Sequence, residues 1–220
     1  VALQTVSGTF TSALASGEKI QVSADGGTTW IDATVGPGSS WTASGVTLSA
    51  GSGTLAARSI DAANNTTAGT GHSYTLDTTL PSATFPTVTL TADTGSSNSD
   101  FVTSNGAVHF AGTVADTGGA GVASVQVFNG ATLLGTATVV AGSWSLDTTL
   151  AAGTYNNLQV TVTDLAGNAS TTANAQTIIV DATPPSAVAT VTALSADTGT
   201  AGDFITSVAL QTVSGTFTGT

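Results

Sequence analysis

Cysteine is absent from this 220-residue sequence, which excludes a disulfide framework and any thiolate metal site. Positive charge is almost absent as well. Lys19 and Arg58 face thirteen acids, for a formal charge of −11. Nucleic acid is thereby excluded as a partner, because phosphate binding draws on clustered Lys and Arg that release counterions. Anionic membrane surfaces are disfavoured on the same ground. No apolar run approaches the roughly 20 residues of a membrane span, and no basic stretch followed by an apolar one opens the sequence. The expectation is an internal segment without an anchor or signal peptide. Prolines number only five and charged residues make up 7%, so the composition is not that of a disordered chain.

What remains is dominated by Val, Leu, Ile and Ala, with Thr, Ser and Gly between them. The length suits about two ordinary domains, and 40% apolar content can bury a core in each. Thr and Val favour half-buried pleated surfaces, while Gly, Asn and Asp supply turns, so the composition predicts an all-β protein with many short strands.

Internal similarity sets the organisation. Val1 to Phe10 (VALQTVSGTF) recurs unchanged as Val208 to Phe217, an offset of 207. A diverged copy lies between them: Ser104 to Val114 (SNGAVHFAGTV) aligns with Ser207 to Phe217. The unit is therefore about 104 residues. Other landmarks keep that spacing: Ser40-Trp41 with Ser143-Trp144, the segment Asp61 to Asn65 with Asp164 to Asn168, Asp77 with Asp181, and Ala92 to Gly95 with Ala196 to Gly199. Three segments follow: 1–81, a repeat lacking its first strand; 82–185, a complete repeat; and 186–220, the first strands of a third. An array of like units points to a longer parent rather than to one active site.

Within the complete unit, alternating segments bounded by turn residues predict strands near 87–92, 107–114, 123–128, 132–140, 143–147, 158–164 and 173–180. Seven short strands in about 100 residues without helical periodicity fit an immunoglobulin-like sandwich. Val108, Phe110, Val125, Val127, Trp144, Leu158, Val160 and Val162 are expected to face inward, with Trp144 at the core centre. The stretches 77–86 and 181–185 read as linkers.

Several segments in one order at one period carry a family resemblance: Leu14 to Glu18, Val22 to Trp30, Asp164 to Asn168, Asp181 to Pro185, and Ala196 to Gly199 leading to Asp203–Thr206. They resemble the bacterial Ig-like tandem repeats of giant RTX-type adhesins and biofilm-associated surface proteins. The resemblance implies secreted extender modules on the bacterial cell surface, exported by a type I system, often with calcium between domains. Their partners would be neighbouring repeats of the same chain.

The acids are distributed unevenly. Asp93 and Asp100 bracket one loop, Asp197 and Asp203 bracket its copy, and Asp77 or Asp181 opens each linker. In an immunoglobulin-like sandwich, Asp93, Asp100 and Asp181 should converge at the exit of the complete unit. At the joint before it, Asp77 should meet Asp164 and Asn168, whose copies in the first unit are Asp61 and Asn65. Calcium suits such oxygen-rich, cation-free clusters, since it takes six to eight oxygens at flexible angles. The same residues also build ordinary turns, with carboxylates bonded to nearby amides, and at this stage both readings stand.

Catalytic readings find less support. His72 and His109 are the only histidines, both on expected strands, and no nucleophile motif accompanies them. The expectation is no enzyme activity. Asp25-Gly-Gly and Asp116-Thr-Gly-Gly have no following helix and read as turns. Trp30 and Trp41 could stack on sugars in a carbohydrate-binding or protein-binding module, although packing between strands is the commoner role. A third alternative is a self-assembling filament, in which strand exchange with other copies completes the partial units.

Overall fold

The computed structural model describes residues 3–219, and among them there is no helix. The first repeat contains β1 (Gln4–Thr9), β2 (Lys19–Ser23), β3 (Ile31–Asp32), β4 (Thr34–Val35), β5 (Ser40–Val46), β6 (Gly51–Ile60), β7 (Thr66–Ala68) and β8 (His72–Leu76). One sheet has the order β1-β5-β4; the other has β3-β2-β6-β7, with β8 also pairing β6. Alternation points Ile20 and Val22 of β2, and Trp41 and Ala43 of β5, into a core completed by Val46. The step from Ala43 to Val46 breaks the period of two because Gly45 sits at φ +78° where the β1–β5 register shifts. Such a bulge needs a residue that tolerates the left-handed region.

The complete repeat contains β9 (Ser82–Ala83), β10 (Thr87–Leu90), β11 (Val102–Thr103), β12 (Ala107–Ala115), β13 (Val122–Asn129), β14 (Thr132–Thr136), β15 (Thr138–Val140), β16 (Ser143–Thr149), β17 (Gly153–Tyr155), β18 (Leu158–Asp164), β19 (Ala169–Asn174) and β20 (Ile178–Val180). Sheets of order β10-β12-β16-β15 and β14-β13-β18-β19 face each other, and a small third sheet has the order β11-β20-β17. The chain is all β, and its repeats are immunoglobulin-like sandwiches. All eight residues expected to face inward are buried here, within a core of thirteen. Trp144, 1% exposed, packs edge-on against Phe85 at a centroid distance of 5.2 Å and donates its indole N–H to Thr84 O at 2.9 Å.

Two anticipated strands divide. The segment expected at 132–140 splits at Ala137 because β14 pairs β13 in one sheet whereas β15 pairs β16 in the other. The segment expected at 173–180 begins earlier, at Ala169, and splits likewise: β19 pairs β18, and β20 crosses to β11 and β17. A strand that changes sheets must bend, and the alternation of its side chains does not reveal that bend. Residues 81–86, read above as linker, are knit into the sandwich. β9 pairs β12, and every second residue of β19 donates a side-chain hydrogen bond to this segment: Ser170 to Pro81 O, Thr172 to Ala83 O and Asn174 to Phe85 O.

The chain divides into two compact units, residues 1–180 and 181–220. In the second, β21 (Val188–Leu194) and β22 (Val213–Thr218) form an antiparallel two-stranded sheet.

Candidate metal centre

Asp164 ends β18, and the turn that follows folds around its carboxylate. Oδ1 accepts the amide hydrogens of Ala166 (2.9 Å) and Asn168 (2.8 Å), and Oδ2 accepts Asn168 Nδ2–H at 2.8 Å. Gly167 closes the turn at φ +91°. Asp164 is only 2% exposed. Burial pushes its carboxyl up, but the hydrogen bonds from the Asn168 side chain and from the amides of Asn168, Ala166 and Gly167 outweigh it and hold the group below the ordinary carboxylate range.

Two further carboxylates meet this turn. Asp116 follows β12 and accepts the Gly121 amide on Oδ2 at 2.7 Å, while its Oδ1 is buried without a hydrogen-bond partner. Asp77 arrives from the first repeat just after β8. Its Oδ1 accepts Thr79 N–H (2.8 Å), its Oδ2 accepts Ala120 N–H (2.7 Å), and its carbonyl oxygen accepts Asn168 Nδ2–H at 3.2 Å. Asp77, Asp116 and Asp164 each place a carboxylate oxygen within 4.8 Å of the others.

Among the described residues, neither Lys nor Arg is paired with the cluster. Lys19 pairs with Asp32 at 2.8 Å, and Arg58 lies over the Trp30 ring at 3.9 Å while bonding Gln21. Three anionic groups brought this close, one with an orphaned buried oxygen, form a donor set suited to a hard divalent cation such as calcium.

The structure thus brings Asp77, Asp164 and Asn168 together, and adds Asp116, which the sequence reading had left as a turn. A signal for Asp116 was available: in a seven-strand sandwich the loop after the second strand and the loop after the sixth lie at the same pole. Asp61 and Asn65 form the same turn in the first repeat, with Asp61 Oδ1 accepting the amides of Ala63 and Asn65 (both 2.9 Å) and Asn64 at φ +66° in place of Gly167. Hydrogen bonds from the Asn65 side chain and amide lower the Asp61 carboxyl.

Asp93 and Asp100 close on their own loop. Asp93 Oδ2 accepts Phe101 N–H at 3.1 Å, and Asp100 Oδ1 accepts Val102 N–H at 3.1 Å. In the copy, Asp203 Oδ1 accepts Ile205 N–H (2.8 Å) as Asp100 accepts Val102, whereas Asp197 Oδ2 accepts Gly202 N–H (2.7 Å) in place of the amide of Phe204. Phe101 and Phe204 both sit at φ +60°, and Oδ1 of Asp93 and of Asp197 is buried without a partner. Among the described residues, neither loop gathers three acids around one point. Asp181 opens the second compact unit, where its Oδ1 accepts Thr183 N–H at 2.9 Å.

His109 Nδ1 lies 2.7 Å from Asp147 Oδ1 on the exposed face of β12 and β16, and His72 is exposed on β8. Trp41 is buried, whereas one face of Trp30 is covered by the Arg58 guanidinium and its indole N–H is bonded to Gly27 O at 2.9 Å. No helix among the described residues is long and apolar enough to cross a membrane.

Residues 79–182 match the model of a bacterial Ig-like domain. No curated protein matches the sequence. Among solved structures, fibronectin(III)-like modules of Clostridium thermocellum CbhA are 14% identical, with 81% of this chain and 85% of that one covered and a TM-score of 0.48. A Ca2+-stabilized adhesin that helps an Antarctic bacterium reach out and bind ice is 29% identical over 89% of this chain, with a TM-score of 0.37. The chain spans 48% of that adhesin structure.

Proposed function

We propose that this chain is a non-catalytic spacer from a large extracellular bacterial adhesin. Its Ig-like repeats are stiffened by calcium at their joints and hold a distal binding domain away from the cell, in adhesion or biofilm formation after type I export. The carrying observation is the convergence of Asp77, leaving one sandwich, on Asp116 and Asp164 of the next, with Asp116 Oδ1 buried and unpaired. Asp77, Asp116 and Asp164 would hold the ion, and Asn168 would orient two of them through its side-chain N–H groups.

Calcium would supply positive charge that the protein does not. Without it the three carboxylates repel, and the segment around Asp77 is held mainly by single hydrogen bonds. With it, oxygens from both sandwiches share one cation and the joint resists bending. Extracellular calcium modules bind at ~0.1–1 mM, so such a site fills outside the cell and empties in the cytoplasm. Equivalent roles for Asp93, Asp100 and Asp181, and for Asp197 and Asp203, extend the same device along the array.

Calorimetric titration and thermal melting with calcium or with chelator test the reading. Calcium should raise the melting temperature and lengthen the maximum dimension in small-angle scattering, and Asp116→Asn should remove the share of both responses that this joint supplies while leaving the strand content unchanged. If chelator alters neither quantity, these carboxylates are turn formers only.

A further inference from the structure

The hydrogen bonds from β19 to residues 81–86 have a direction. Ser170 donates to Pro81 O, Thr172 to Ala83 O at 2.9 Å and Asn174 to Phe85 O at 2.6 Å, so both segments advance together and the run is parallel. Just before it, Asn168 donates to Asp77 O in the same sense. A second parallel pairing lies where the chain leaves the repeat. Val102 and Thr103 of β11 stand opposite Ile179 and Val180 of β20, and Ile179 donates its amide hydrogen to Phe101 O at 2.9 Å.

Parallel sense decides how these bonds meet a pull along the chain. The chain enters the complete repeat at residue 81, level with the start of β19, and leaves it after Val180 at the end of β20. Tension draws residues 81–86 back toward the first repeat, and draws β19 and β20 forward toward residue 181. In a parallel run those two directions oppose each other along one axis, so the rungs are sheared together and share the load. An antiparallel pair of terminal strands would have both ends side by side and would open one rung at a time.

Sliding meets a further obstacle. Phe85 is buried, edge-on to Phe110 at 5.7 Å and to Trp144 at 5.2 Å. Thr84 accepts the Trp144 indole N–H on its carbonyl, donates its amide to Thr113 O at 2.8 Å, and accepts Thr113 N–H on its hydroxyl at 2.9 Å. Gly112 lets the segment lie this close, since a Cβ there would overlap Thr84 O. A slip of one rung spacing, about 7 Å along a strand, must therefore draw Phe85 out from between two rings and break the bonds of Thr84 in the same movement.

We infer that residues 81–86, β19 and the β11–β20 pairing form a mechanical clamp, which passes tension across the sandwich from one joint to the next without unfolding it. The inference rests on the spacer reading for the origin of the tension. The rungs on residues 81–86 use no carboxylate of Asp77, Asp116 or Asp164, so the clamp holds with or without calcium.

The test uses the 220-residue chain in chelator. Since the chain has no cysteine, Thr79→Cys combined with Thr183→Cys places pulling handles on either side of the complete repeat. Its lifetime at constant tension then reports the unfolding barrier along that axis. Thr172→Val and Asn174→Ala should each shorten the lifetime roughly fivefold, the effect of one hydrogen bond lost from the barrier. Val127→Ala alters the core away from the clamp. It should lower stability to denaturant more than either ladder variant, yet shorten the lifetime under tension less. Lifetimes that simply follow the order of denaturant stability, or ladder variants as long-lived under tension as the parent chain, would overturn the clamp. A missing calcium response would sink the calcium reading and leave these lifetimes unchanged.

Discussion

The turn after β6 and the turn after β18 have the same internal geometry. In each, an aspartate Oδ1 accepts two amide hydrogens and its Oδ2 accepts the side-chain N–H of an asparagine four residues on. In each, the residue before that asparagine adopts a left-handed backbone, Asn64 in one and Gly167 in the other. Their surroundings differ. Asp164 is met by Asp116 and Asp77, while among the described residues no such pair of acids meets Asp61. By the repeat alignment Ser12 stands where the complete repeat has Asp116. A turn satisfies its own carboxylate, and a binding site requires other segments to bring theirs. The cores differ in the same direction: five buried residues in the first repeat and thirteen in the second.

That contrast can be broken most forcefully at the tryptophans. Trp144→Ala should cost about 3–5 kcal/mol by denaturant unfolding, the range for emptying a well-packed aromatic site. Trp41→Ala should cost less, because Trp41 is 8% exposed and lies in the smaller core. Equal losses would mean that the two cores are equally consolidated.

The acid cluster gives the next effect. Calcium at ten to a hundred times its Kd adds about 1.4–2.7 kcal/mol per site when only the folded form binds. Asp116→Asn should abolish that gain in calcium-dependent melting, and Asp61→Asn should leave it intact. An equal loss in both variants would place the ion outside the cluster. The side-chain ladder on β19 comes third. Thr172→Val and Asn174→Ala should each cost about 1 kcal/mol, since each removes a hydrogen bond that ties residues 81–86 to the complete sandwich. Amide exchange should rise at those residues and remain unchanged in the first repeat.

The smallest effect is in acid. The Thr29 hydroxyl and amide and the Ser23 hydroxyl, all bonded to the Asp25 carboxylate, lower its pKa to about 2. A depressed native value stabilises the fold above the unfolded value of about 3.9, and this contribution is lost as pH falls toward 2. Asp25→Asn should therefore flatten the decline in melting temperature of the first repeat across that window and leave the second repeat's profile as it was.

Local pattern carried much of the architecture. Alternation with a period of two marks Val125, Val127, Val160 and Val162 as inward-facing whatever the strands pair with, and the repeat spacing gives the order of modules. The Asp-x-x-Gly/Asn-Asn turns were equally legible, because their hydrogen bonds close within five residues. Tertiary structure decided the rest. The break at Ala137 sends two adjoining strands into opposite sheets, and the capture of residues 81–86 by Ser170, Thr172 and Asn174 and the meeting of Asp116 with Asp77 and Asp164 join segments tens of residues apart. No local preference distinguishes a carboxylate that stays in its turn from one that meets two others. That depends on which loops share a pole once the sheets have packed.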